Sequence, residues 1–421
     1  MTVSVEVVNF GCRLNAAEAE RVRALAAPAV ERPTIVLNTC AVTASAERDA
    51  RRMVRKLKRE RPEADIVVTG CAAQRDPGQF ASMPEVARVL GNREKLRPAT
   101  WAAAAAARIE VGDILAPDPM PEDPPPLSDP GAGQTRAVID AQQGCDHRCT
   151  FCIIPFTRGA SRSQPLGALA ARIEALVEGG TREIVLSGVD LTAYGRDLPG
   201  RPGLGSAVRR LLARVPGLPR LRLSSIDPAE IDDDLIGAFA DEARLMPHAH
   251  LSLQSGDDLI LKRMKRRHGQ AQAIAMAERL RRARPGIAFG ADIIAGFPTE
   301  SDAAAENSRR LLDRIGVAFT HVFAFDPRPG TPAARMPAVP AATIAHRAAT
   351  LRADARLRLG AHLAARVGCD VEMLVEGDGR AGHAADFTRV RLDAGAARGT
   401  LLRARAIAAD DDHLIATTRS A

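Results

Sequence analysis

Apolar and polar positions alternate along this chain in two distinct ways. In the first hundred residues, short β-branched runs at 3–9, 34–38 and 65–69 alternate with stretches at 15–26 and 45–60 whose apolar positions recur every three to four residues. Strand-like runs separated by helical periodicity predict a β-α-β-α-β order, and hence a parallel sheet with crossover helices. A second series follows, with strand patterns at 137–142, 183–187, 220–224, 250–253, 287–294 and 319–325. Helical patterns separate them at 166–178, 205–215, 231–240, 271–283 and 302–315. Six β/α units in one run predict an open, partial (β/α) barrel whose site lies at the carboxyl ends of its strands. In the last sixty residues VEMLVEG, TRVRLD, GTLLRARAI and HLIATT are short strands between Gly- and Asp-rich turns, which predicts a small β-barrel.

The fold class is therefore α/β: an N-terminal parallel-sheet domain at 1–115, a central partial barrel at 135–357 and a C-terminal β-barrel at 358–421. Segment 116–134, APDPMPEDPPPLSDPGAGQ, is saturated with Pro, Gly and acids and reads as an extended linker. The Ala run at 102–107 reads as helix. No window approaches ~20 uninterrupted apolar residues, so no membrane span is expected.

Composition narrows the chemistry. The 421 residues carry 46% hydrophobic and 26% charged side chains, ordinary globular values. Aromatics make up only 3%, with one Trp and one Tyr, so nucleic acid cannot be bound mainly on stacked aromatic platforms. The net charge of +7 is carried mostly by Arg, whose planar fork suits phosphate. Seven cysteines, an odd number, argue against a disulfide framework and for a reducing cytoplasm with thiolate ligands.

Cys145-Asp-His-Arg-Cys149-Thr-Phe-Cys152 follows directly on the first strand of the second series. Three thiolates at a strand end can hold a four-iron cluster with one iron open to a small molecule. A zinc site completed by His147 or a distant His, or three incidental buried thiols, are the other readings. Cys12, Cys40 and Cys71 each stand just past one of the three N-terminal strands, where parallel sheets form their ligand crevice, although each alone could be a small buried hydrophobe. Cys369 reads as structural.

The cysteine run, with EIVLSGVDLTAYGRD, RLSSIDP, HLSLQSGDDLILKRMKRRH, DIIAGFP and FAFDPRPGTPAA, resembles the radical S-adenosylmethionine (SAM) methylthiotransferases over essentially the whole chain. The resemblance implies two [4Fe-4S] clusters, one on Cys145, Cys149 and Cys152 that binds and cleaves SAM, and one on Cys12, Cys40 and Cys71 that presents sulfur. It also implies a terminal RNA-binding domain of the TRAM type and an electron donor such as a flavodoxin or ferredoxin. For SAM it implies contacts at the strand ends: Ser187, Gly188 and Asp190 after the second barrel strand, Ser225 after the third, Gln254 at the fourth, and Ile294 and Gly296 at the fifth. From the residues alone, these positions read equally as βα turns, helix caps or strand-end packing.

NTCAVTASAERDARR, GCDHRCTFCIIPFTRG and SGVDLTAYG resemble the branch acting on N6-threonylcarbamoyladenosine 37 of tRNA. Isopentenyladenosine 37 or a ribosomal-protein aspartate are the alternative substrates, and a zinc-dependent nucleic-acid-binding protein is the non-enzymatic alternative. Basic stretches at 48–59 and 262–268, and Arg389, Arg391, Arg398, Arg403 and Arg405, fit an RNA partner, and fit solvated surfaces as well.

Overall fold

The computed structural model describes residues 4–102, 107–116 and 135–418. From residue 117 on, the expected linker lies outside the described residues, as does most of the Ala run at 102–107. The N-terminal sheet is five-stranded and parallel, in the order β1 (Val5–Asn9), β2 (Thr34–Thr39), β3 (Asp65–Gly70), β4 (Arg88–Leu90), β5 (Ile109–Glu110). Helices α1 (Arg13–Ala26) and α2 (Ala44–Glu60) make the first two crossovers. Thr43 caps α2 by accepting from the Ala46 amide at 3.1 Å. Strands β4 and β5 are too short to leave a pattern and were not expected from the sequence.

The central domain carries six parallel strand positions: β6 (Arg136–Gln143), β8 (Glu183–Gly188), β9 (Arg220–Leu223) continuing into β10 (Ser225–Ile226), β11 (His248–Gln254), β12 (Ala288–Ala295) and β13 (Val317–Ala324). A two-residue strand, β7 (Arg162–Ser163), pairs antiparallel with β6 at the open edge. The expected third strand is thus interrupted at Ser224, where its amide turns to the Leu186 carbonyl. Outward-facing Ile139, Leu186, Leu221, Leu251, Phe289 and Ile293 form one apolar core with the surrounding helices.

The final domain is a closed barrel, β14 (Asp370–Glu376), β15 (Ala381–Ala384), β16 (Arg389–Leu392), β18 (Leu414–Thr418), β17 (Leu401–Ala409). Helix Ala341–Ala364 runs through position 358: Ala348 and Leu351 pack on the central core, and Leu363 on the β-barrel core. It escaped the pattern reading because Ala dominates its apolar positions and blurs the faces.

Candidate functional site

Neighbouring parallel strands deliver the three N-terminal cysteines to one place. Asn9, Asn38 and Thr69 are in register across β1, β2 and β3, and Cys12, Cys40 and Cys71 follow within three residues of them. Gly70, at φ +96°, lets the chain turn beside β2, since a Cβ there would stand 2.4 Å from the Thr39 backbone nitrogen and oxygen. The chain at Gly11 passes against the Cys40 side chain. Cys40 and Cys71 are buried and Cys12 is exposed. Burial pushes the Cys40 thiol up to about 11, with Cys71 and Cys12 adding to the rise against the opposing Val42 amide, which donates to its sulfur at 3.5 Å.

The second set lies on a loop pinned at both ends. The Cys145 amide donates to the Gly159 carbonyl at 3.0 Å, and the Thr150 amide and hydroxyl donate to Met264 and Arg263 carbonyls at 3.0 and 2.8 Å. Burial raises the Cys145 thiol, helped by the Asp190 carboxylate 3.8 Å away, and raises the Cys152 thiol to about 12. Buried thiols so reluctant to ionise alone form thiolates when a cationic metal centre compensates them. Cys40, Cys145 and Cys152 are such thiols, a donor chemistry suited to an iron–sulfur centre.

His147 does not complete a zinc site with the three thiols. Among the described residues its donor groups are Cys145 with Asp190 and Asp227 with Glu230, so of the three thiols only Cys145 stands beside it; the carboxylates of Asp190 (2.9 Å) and Glu230 (3.6 Å) raise it to about 9, a cation at neutral pH.

The SAM candidates sit at the carboxyl ends of the strands with differing engagements. Ser187 and Gly188 end β8 opposite Asp140 and Gln142. The Asp190 amide donates to Gln142 Oε1 at 2.8 Å, and its carboxylate takes Thr192 (3.1 Å) and His147, so it braces the cysteine loop. Ser225 pairs with His250, and Gln254 closes β11 at φ +69° opposite Ile293. Ile294 packs with Ile260, Met264, Phe297, Ala304 and Ala333. Gly296, at φ +75°, donates its amide to Glu300 at 2.9 Å, and a Cβ there would meet Ile344 at 2.5 Å. Cys369, expected to be structural, is exposed immediately before β14.

Sequence reading did not anticipate what joins the two triads. Ile153, next to Cys152, is buried in the N-terminal apolar core beside Cys71 and Ala72. Asn92 donates to the Thr157 carbonyl at 2.8 Å and approaches Cys71 Sγ at 3.7 Å. Arg158 reaches Glu18 (2.8 Å), Gln143 (2.7 Å) and Asn15 (2.5 Å), all buried. The partners are up to 143 positions apart, so no local pattern signals them.

Comparison with known proteins agrees with this geometry. Residues 139–312 match the Radical SAM superfamily, and residues 4–91 match the uncharacterized protein family UPF0004. The chain is 45% identical over 97% of its length, and 96% of the relative's, to the threonylcarbamoyladenosine tRNA methylthiotransferase MtaB of Rickettsia prowazekii. It is 37% identical, over 97% of both chains, to the tRNA-2-methylthio-N(6)-dimethylallyladenosine synthase of Cereibacter sphaeroides. This chain belongs to the radical SAM methylthiotransferase family. Among solved structures, the radical SAM methyltransferase TsrM from Kitasatospora setae shares the fold, with a TM-score of 0.54 at 14% identity over 79% of this chain and 77% of that one. An iron–sulfur and SAM cofactor system accords with the superfamily and the donor sets found here.

In this methylthiotransferase the far end of the barrel is closed by the C-terminal domain. Arg136, Glu183, Arg220 and His248 begin β6, β8, β9 and β11, opposite the cysteines. Glu183 is fully buried and holds Arg222 at 2.8 and 3.2 Å, with Arg136 at 3.6 Å and Arg220 at 3.7 Å. Those arginines reach across to the β-barrel: Arg220 to Glu372 at 2.8 Å, Arg136 to Glu376 and to His383 at 2.7 Å. Phe387 stacks on His383 (4.9 Å) and under the Arg222 guanidinium (4.9 Å). Between the two ends, Asp292 in the barrel wall accepts from His250 at 2.9 Å and His321 at 3.1 Å. Burial pushes that carboxyl upward, but the two imidazoles outweigh it and hold it well below the usual range.

Proposed function

We propose that this protein is a tRNA methylthiotransferase that places a methylthio group on C2 of N6-threonylcarbamoyladenosine 37. The observation that carries this is near-complete alignment at 45% identity with a relative of that name, in a chain where Ile153, next to Cys152, packs in one apolar core with Cys71. Cys145, Cys149 and Cys152 would hold one [4Fe-4S] cluster and Cys12, Cys40 and Cys71 the other, which with SAM supply radical activation of the C–H bond and the sulfur.

The chain's own residues orient the reactants. Ser187, Gly188, Ser225 and Gln254 line the strand ends where SAM would lie, and Ile294 and Gly296 form the apolar side for its adenine. Asp190 holds the cysteine loop through His147. Buried contacts across the domain interface would hold the two sites toward one substrate, so that the reacting groups are positioned before reaction. Arg389, Arg391, Arg398, Arg403 and Arg405 are exposed on the C-terminal barrel, a cationic surface suited to the tRNA backbone. The free thiols support a cytoplasmic enzyme, in which a one-electron donor of the flavodoxin or ferredoxin class would reduce the clusters.

Mass spectrometry of tRNA nucleosides from a deletion strain tests the reading. Loss of 2-methylthio-threonylcarbamoyladenosine, restored by the wild-type gene, is the expected result. Loss of the isopentenyladenosine product instead, or of neither, refutes the substrate assignment.

A further inference from the structure

The interface between the two triads carries more positive charge than its own carboxylates neutralise. Glu18 is shared by Lys95 (2.6 Å) and Arg158 (2.8 Å), and Asp140 by Arg21 and Arg172, each at 2.9 Å. Four cations thus face two carboxylates, in an interior where the side chains are at most 11% exposed. An uncompensated buried charge is strongly unfavourable unless another anion stands nearby. The N-terminal triad lies beside these cations, where a cluster on its thiolates would supply the missing negative charge. Asn92, which bonds Lys95 at 2.7 Å, also touches Cys71 and the carbonyl preceding Arg158.

We propose that Arg158, assisted by Lys95, is the positioning residue of the N-terminal cluster: its guanidinium fixes the Cys12 helix against the Cys152 loop, and its unneutralised charge raises that cluster's reduction potential. The fork is committed on one side to Asn15 and Glu18, which lie within two turns of Cys12, and on the other to Gln143, which lies two residues before Cys145. Lysine carries the charge but cannot span both partners as a rigid planar donor. The two roles are therefore separable by substitution. The inference rests on the proposed placement of a cluster at Cys12, Cys40 and Cys71.

The test uses the full chain in which Cys145, Cys149 and Cys152 are replaced by Ala, so that only the N-terminal site can take iron. After anaerobic reconstitution, iron and sulfide are counted and the midpoint potential is read by electron paramagnetic resonance during a redox titration. Absence of iron in this parent would refute the cluster placement itself, separately from the role of Arg158. With the parent loaded, Arg158→Gln is expected to make one-electron reduction at least tenfold less favourable, about 59 mV. Arg158→Lys is expected to stay within about threefold of the parent potential. Should Arg158→Gln not fold, Lys95→Gln reads the same effect with the same sign. A fully loaded Arg158→Gln or Lys95→Gln protein with an unchanged potential overturns the electrostatic role. In the chain with all cysteines, Arg158→Lys is expected to release more 5′-deoxyadenosine per methylthio product than wild type, and an unchanged ratio overturns the positioning role.

Discussion

Replacing Glu183 by Gln removes one negative charge from beneath three arginines while keeping the side chain's size. Glu183 and its partners Arg220 and Arg222 are all but inaccessible to water, so the guanidinium charges cannot be rehydrated without opening the structure. Removing one partner of a buried ion pair costs about 3–5 kcal/mol. For a domain of this size each kcal/mol lowers the melting temperature by about 2–4 °C, which gives an expected fall of about 6–20 °C. Thermal unfolding of the apo-protein, followed by circular dichroism at pH 7, measures it. The pH dependence supplies a second check. Burial raises the Glu183 carboxyl, but Arg222 first, then Arg136 and Arg220, bring it below its ordinary value of 4.5 in the folded chain. Its stabilisation is therefore present above that value and lost as the pH falls through the lower, folded one. The gap between wild type and variant should close in acid. A melting temperature within about 2 °C of wild type at pH 7 would refute the reasoning, because it would mean that the arginines are solvated or paired elsewhere.

Five other substitutions, at four positions, probe different parts of the molecule. Cys149→Ala is expected to abolish reductive SAM cleavage, whereas Cys40→Ala should retain 5′-deoxyadenosine formation and lose methylthio transfer; product analysis by mass spectrometry distinguishes them. Phe387→Ala removes the ring between His383 and Arg222 and is expected to cost about 1–3 kcal/mol in denaturant unfolding. Because Phe387 sits at φ +74°, Phe387→Gly should recover about 1 kcal/mol relative to Ala. Gly296→Ala places a methyl 2.5 Å from Ile344 at a left-handed backbone position, and the same assay should show a loss of about 1–3 kcal/mol.

What the sequence discloses and what it hides divide along chain distance. The placement of the six candidate cysteines at strand ends is legible because each follows a strand visible from a handful of residues, and because the C-x3-C-x2-C spacing is local. Helices α1 and α2 are legible for the same reason. Strands β4 and β5, at three and two residues, fall below any periodicity, and the helix Ala341–Ala364 hides behind its alanines. The decisive contacts are long-range: Arg158 with Glu18, Glu183 with three arginines, Phe387 with the closed end of the barrel. Among the SAM candidates, Asp190 also braces the cysteine loop, a contact hidden from the sequence because nothing near it names His147 as its partner. Gly296 needs its freedom for a turn under Ile344, a residue 48 positions on.

The single side chain Ile153 bears on how such a chain can be taken apart. A Pro-rich segment between two folded units invites the view that the units are interchangeable, and that a hybrid could be built by cutting there. Ile153 belongs by sequence to the central unit and by packing to the first, where it completes the apolar interior around Cys71. A hybrid joined at the Pro-rich segment would bring a foreign residue into that interior and misalign the two triads. The boundary that matters for exchange is therefore a surface in space, and two relatives can trade halves only if they also trade the stretch from Ile153 to Gly159.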